Sequence, residues 1–299
     1  MRYFIGFICF LMSVACSAPK SVPYIKHVPA NIDTREVNNL YLKITADENK
    51  AVKYHGLASY DDVNAEHGGI AYPAATAEMF FGALIAHMLT TESIKNSEKT
   101  ERQDEADKVL GPYTEMLKGF SNGVLLDDAF TLLANNDPRK IENIKLLGSN
   151  SAWVIESTPV FFMTQDRKSL ILDNAISIYD SSVPDDVVYS NLVEITSLPF
   201  MGEPTQYWQT GEKVRLLEIS TKLYSRSITI ALNDFYSNNK NLSNHEETFK
   251  FYQDGKKKYE RGSLLEKDCE RIVMRTLRGW LKSVPVWVEE DGAAVECNA

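Results

Sequence analysis

Gly119-Phe120-Ser121-Asn122-Gly123 has the G-x-S-x-G spacing that exposes a serine hydroxyl as a nucleophile on a sharp strand-to-helix turn. A nucleophile of this kind needs a general base and hydrogen-bond donors for an oxyanion. His67-Gly68-Gly69 has the composition of an oxyanion loop, and His245 is the one histidine downstream of Ser121. The context argues against the motif, because a helix rather than a strand is expected before Ser121 and His245 lies in an Asn- and Ser-rich linker. The expected roles are structural: Gly119 as the left-handed cap of one helix, Ser121 as the N-cap of the next. Glu78 and His87 stand nine positions apart on one expected helix, which at about 100° per residue puts them on opposite faces. His87 is then a hydrogen-bonded core residue rather than a ligand. Asp185-Asp186 and Glu289-Glu290-Asp291 read as solvated charge. The sequence thus assigns no catalytic residue, no metal ligand and no cofactor.

The cysteines carry a different chemistry. Arg2, an apolar run from Tyr3 to Met12 and the small-residue stretch Ser13-Val14-Ala15 precede Cys16. One positive charge, a short apolar run and a small-x-small cleavage site spell an export signal. Ten residues of helix cover about 15 Å, half of a hydrocarbon core of about 30 Å, so the run is too short to span a bilayer. The arrangement resembles the signal of bacterial lipoproteins, which ends in a leucine, two small residues and a cysteine that receives diacylglycerol. The resemblance covers residues 1–16, and Ser13 stands where leucine is usual. Ser13 and Ala15 also fit ordinary secretion, in which Cys16 is the first mature residue.

What the resemblance implies is lipidation of Cys16 with palmitate-type chains, and two or more chains hold a protein stably on a membrane. It also implies the periplasmic face of the outer membrane, because Ser17 and Ala18 follow the cysteine where an aspartate would retain the protein in the inner membrane. An oxidising compartment allows Cys269 and Cys297 to pair, a bond worth about 3 to 4 kcal/mol on the chain-entropy model. The other reading is a buried thiol at Cys269 within a strand and a loose Cys297.

Composition frames the body that these residues belong to. In 299 residues, 44% apolar and 24% charged are globular values, so a large core is expected and wholesale disorder is excluded. A net charge of −9 disfavours nucleic acid as a partner. Pro19, Pro23 and Pro29 mark residues 16–38 as a lipidated cysteine and flexible tether; residues 39–299 form the body, as one unit or as two packed halves, 39–200 and 205–299. The pattern predicts strands over 40–44, 51–57, 141–147, 152–163, 169–179 and 187–198, with one face of 169–179 buried and Pro159 at a bulge or an edge. It predicts helices over 74–89, 97–110, 124–133 and, longest, 211–236. A last meander covers 248–284, with Asp254-Gly255 as its hairpin turn.

The expected class is α+β, antiparallel meanders packed with several helices. Residues 246–284 carry ten Lys or Arg against seven Asp or Glu, and Arg271 and Arg275 share a strand face. That reads as protection of a sheet edge or as a docking surface for an anionic partner. The expected function is a membrane-anchored envelope component that binds or assists assembly, its partner an envelope protein or cell-wall polymer. A serine hydrolase using Ser121 and a small-molecule carrier are the alternatives.

Overall fold

The computed structural model describes residues 27–58 and 101–286, apart from 31, 35–36, 38, 102, 149–150, 201, 211–213 and 238–244. Cys16, Cys297, His67-Gly68-Gly69, Glu289-Glu290-Asp291 and the helix expected over 74–89 lie outside the described residues.

The elements in chain order are β1 (Leu40–Ile44), β2 (Tyr54–Gly56), α1 (Thr114–Lys118), α2 (Asn122–Asn136), β3 (Ile141–Asn143), β4 (Trp153–Met163), β5 (Leu170–Asp180), β6 (Val187–Thr196), α3 (Pro204–Gln209), α4 (Arg215–Ser237), β7 (Glu246–Gln253), β8 (Lys256–Lys267), β9 (Arg271–Thr276) and β10 (Leu281–Pro285). All ten strands join in one sheet, ordered β3-β1-β4-β5-β6-β10-β9-β8-β7, with β2 also against β4. The class is mixed α and β, the sheet large and mostly antiparallel, and the helices few among the described residues. The two expected meanders are therefore one sheet. β10 inserts between β6 and β9, parallel to β6 and antiparallel to β9, so the sheet runs unbroken through the boundary expected near residues 200–205.

The three central strands, β4, β5 and β6, are long, β-branched and aromatic, which suits them to a pleated surface. Leu170, Leu172, Ile176 and Ile178 do line one face of β5, but the intervening Ile171, Ala175 and Ser177 are buried too. Burial on both faces replaces the expected half-exposed strand. Pro159 sits in neither a bulge nor an edge. Ser157 O accepts from Thr45 N–H at the end of β1, and Phe161 N–H donates to Lys53 O at the start of β2. By strand alternation the Pro159 nitrogen points between those two contacts, into the gap between β1 and β2, where no ladder bond is lost. The strand expected over 141–147 stops at Asn143, whose side chain caps a 3-10 turn, Ile144–Leu146.

α4 packs lengthwise on one face of the sheet. Leu216, Leu223, Ile228, Ala231, Leu232 and Phe235 are buried there with Leu42, Leu125, Phe161, Ile176, Trp208 and Leu281, one cluster drawing on both expected halves. Each such side chain fully removed from water contributes about 1.5 to 3 kcal/mol before entropy is counted. The same helix side carries Ser220, which pairs with the Tyr54 hydroxyl at 2.6 Å, and Ser227, which joins a buried polar circuit. Tyr224 O–H donates to Ser157 Oγ (2.9 Å), Ser157 O–H to Asn174 Oδ1 (3.2 Å), Asn174 Nδ2–H to Ser227 Oγ (2.8 Å), and Ser227 O–H to Tyr224 O (2.7 Å). Every donor has one acceptor, so the circuit closes and fixes the helix register on β4 and β5.

The hairpin β7–β8 turns at Asp254 and Gly255, whose φ of +55° and +69° match the mirror-image turn that Asp-Gly favours. Val28, Thr34 and Val37, inside the stretch expected as tether, are packed on the body: Val28 and Ser190 exchange backbone hydrogen bonds, and Thr34 and Val37 are buried. A β-bridge and two buried side chains outweigh the extended character that Pro29 suggested. No described helix is long and apolar enough to cross a membrane.

Candidate functional site

Side chains alternate along a strand, so the register identifies what faces away from α4. Asp173 of β5 opposes Glu194 of β6, Glu194 opposes Lys282 of β10, and Lys282 opposes Met274 of β9. Asp173, Glu194 and Lys282 thus form a continuous row on the second face of the sheet. Lys282 Nζ lies 2.9 Å from Glu194 Oε1 and 3.5 Å from Glu260 Oε2 on β8, and 4.9 Å from the centre of the Phe251 ring. Burial pulls the Lys282 pKa down, and the charges of Glu194, Glu260 and Asp173 outweigh it, so the net shift is upward.

Two acids placed directly opposite each other cannot both ionise cheaply. Burial first, and the Glu194 charge second, push Asp173 up to about 8 against the opposing pull of Lys282. At neutral pH Asp173 therefore holds its proton and is a hydrogen-bond donor as well as an acceptor. Its Oδ1 is sealed from solvent with no hydrogen-bond partner among the described residues. The same holds for Ser177 Oγ, Thr196 Oγ1 and Thr276 Oγ1, all of which the strand alternation sets on the second face. A second polar group on that face is complete: Glu156 meets Lys43 Nζ at 3.4 Å and accepts from Thr45 Oγ1 at 3.1 Å, and Thr158 Oγ1 donates to Thr45 Oγ1 at 3.0 Å.

The motif residues fall elsewhere. Ser121 is the N-cap of α2, with φ −86° and ψ 161°, and its Oγ accepts from Val124 N–H at 3.3 Å. Among the described residues no imidazole bonds its hydroxyl, and the exposed His245 is not joined to it. Gly119 is not left-handed; its φ is −83°, because its N–H closes onto Met116 O in an ordinary helical turn. Cys269 lies in the turn between β8 and β9 rather than in a strand, and it is disulfide-bonded.

The expected docking arginines face inward, towards α4. Arg271 Nε donates to Ser283 Oγ at 3.1 Å, and Arg275 forms a buried ion pair with Asp234 of α4. Asp185 and Asp186 are exposed in the β5–β6 turn.

Two further groupings have no precursor in the sequence reading. His55 Nδ1 lies 3.1 Å from Asp107 Oδ2, and Asp107 Oδ1 accepts from Gly56 N–H (2.7 Å) and Gln103 Nε2 (2.7 Å). The carboxylate is held by three donors and orients the ring, while tying β2 to the helical residues 103–107. His27 and Asp234 flank Arg275 at the far end of α4. A signal for the charged row was present: β4, β5 and β6 carry Glu156, Asp173 and Glu194 within long strands whose residues are mostly buried. Among the described residues no group of three His, Cys, Asp or Glu side chains is arranged to hold a metal ion. No family model, curated protein or solved structure matches the chain.

Proposed function

We propose that the chain is an exported lipoprotein, anchored through Cys16 at the periplasmic face of the outer membrane, whose body is a non-enzymatic binding or assembly component. The anchor is supported by Arg2, the apolar run and the small residues that precede Cys16. Binding is supported by one structural observation. Four side-chain oxygens, on Asp173, Ser177, Thr196 and Thr276, are buried on one sheet face without partners, while the opposite face closes its polar circuit. A buried polar atom left unpaired costs about 1 to 3 kcal/mol, so a group of them calls for a ligand or partner that completes it. Three hydroxyls and a protonated carboxyl fit a polar ligand rich in hydrogen-bonding groups. Ser121, engaged as a helix cap, gives the hydrolase reading no support. A Cys269–Cys297 disulfide belongs to the same proposal, since export would let it form.

Labelling cells with a radioactive fatty acid tests the anchor: the wild type takes up label and Cys16→Ala does not. Label in the variant, or in neither protein, overturns it. Native mass spectrometry on protein recovered from crosslinked envelopes tests the binding site. A bound species is expected on the wild type and is lost from Asp173→Leu; equal retention by both proteins removes the second face from the proposal.

A further inference from the structure

His27 does more than fill space against the sheet. Its Nε2 lies 3.0 Å from Arg275 Nη1, and a guanidinium can only donate, so Nε2 accepts and the docked imidazole is neutral. The ring also meets Tyr189 of β6 edge-on, with centroids 6.3 Å apart. Gly279, in the β9–β10 turn with φ +84°, leaves room that a side chain would fill: an added Cβ would stand 2.9 Å from His27 Cβ. Next to it, Val28 N–H donates to Ser190 O at 2.9 Å and Ser190 N–H to Val28 O at 3.1 Å.

The charged and titratable groups facing His27 are Arg275 from β9, Asp234 from α4 and Tyr189 from β6. Asp234 is engaged already, with Arg275 and with the Tyr189 hydroxyl, which donates to it at 3.1 Å. Burial and the adjacent Arg275 charge hold the His27 pKa below its ordinary value near 6.5, with Asp234 opposing. Protonation would set a donor against a donor and a cation against Arg275.

We propose that His27 is an acid-released latch, whose protonation undocks residues 27–30 from β6 and β9 while Val37 stays bound. Val37 is held independently, its carbonyl accepting from the Tyr236 hydroxyl at 3.2 Å. The sign follows from the lowered pKa: docking is complete above pH 6.5 and weakens as pH falls below that value, by up to about tenfold per unit. If the lipid-anchor reading holds, release of residues 27–30 lengthens the leash by at most about 14 Å. The latch itself does not depend on the anchor.

Amide exchange by NMR on the full chain, corrected for intrinsic rates, is the test, with the Val28 protection factor read at pH 7.5 and pH 5. The wild type is expected to lose protection at Val28 at pH 5 while the amides of β4 and β5 keep theirs. His27→Gln offers a carbonyl that accepts from Arg275 at both pH values, so it keeps its protection, and His27→Ala is unprotected at both. Equal protection at the two pH values in the wild type overturns the latch. So does the same loss in His27→Gln, or a loss shared by β4 and β5. Fatty-acid uptake at Cys16 is read separately, so either idea can fail alone.

Discussion

The two faces of the sheet are built from the same strands, yet the strands' buried unpartnered side-chain oxygens, among the described residues, lie on one of them, while the helix face leaves the Nε of Arg275 unpartnered. On the face under α4, Tyr224, Ser157, Asn174 and Ser227 close a circuit in which every hydroxyl finds an acceptor. On the other face, Lys282 links Glu194 and Glu260, and Asp173 Oδ1, Ser177, Thr196 and Thr276 are left unpaired among the described residues. A satisfied network specifies one packing arrangement, whereas an unsatisfied one costs stability and persists where something is gained from it. The difference separates the face that holds the fold from the face proposed for binding.

The largest effect that sharpens this contrast is expected at the helix side. Asp234→Ala leaves Arg275 buried without its carboxylate and should lower unfolding free energy by about 3 to 5 kcal/mol, read by urea titration. A loss under 1 kcal/mol would show that this end of α4 is not held by charge. Asn174→Ala strips Ser157 of its acceptor and Ser227 of its donor, at about 2 to 4 kcal/mol by the same measurement.

Asp173→Asn, on the second face, should behave differently, changing stability at pH 6 by less than about 1 kcal/mol, because a neutral amide replaces a carboxyl that is already protonated. Its pH signature is the sharper readout. With the folded pKa raised to about 8, the folded state binds more protons than the unfolded chain, so wild-type stability falls as pH rises from about 4 to 8. The Asn variant loses that contribution to the slope, and identical pH profiles for the two proteins would erase the distinction drawn for Asp173. A comparably small effect is expected for Ser121→Ala, about 1 kcal/mol from the lost N-cap, seen as a drop of a few degrees in Tm.

Much of the scaffold is legible locally. The β1 bounds, the Asp254-Gly255 turn and the capping role of Ser121 follow from residues within one turn or one hairpin. The site is less so. Glu156, Asp173 and Glu194 stand out as acids inside long strands, but only the strand register makes Asp173, Glu194 and Lys282 neighbours. The basic C-terminal meander misled in the same way: Arg271 and Arg275 share a face, and nothing local says that it is the face turned to α4.

The sequence alone determined the alternation that makes strands, the caps and turns that end elements, and the arrangement of residues up to Cys16 that supports export; each depends on neighbours a few positions apart. Tertiary structure decided the insertion of β10 beside β6, the burial of β5 on both sides, the docking of His27, Val28 and Val37, and the asymmetry between the faces. Those outcomes depend on contacts between residues far apart in the chain, such as Tyr224 with Ser157 across 67 positions and Arg275 with His27 across 248. No periodicity within one segment encodes which distant segment will lie beside it.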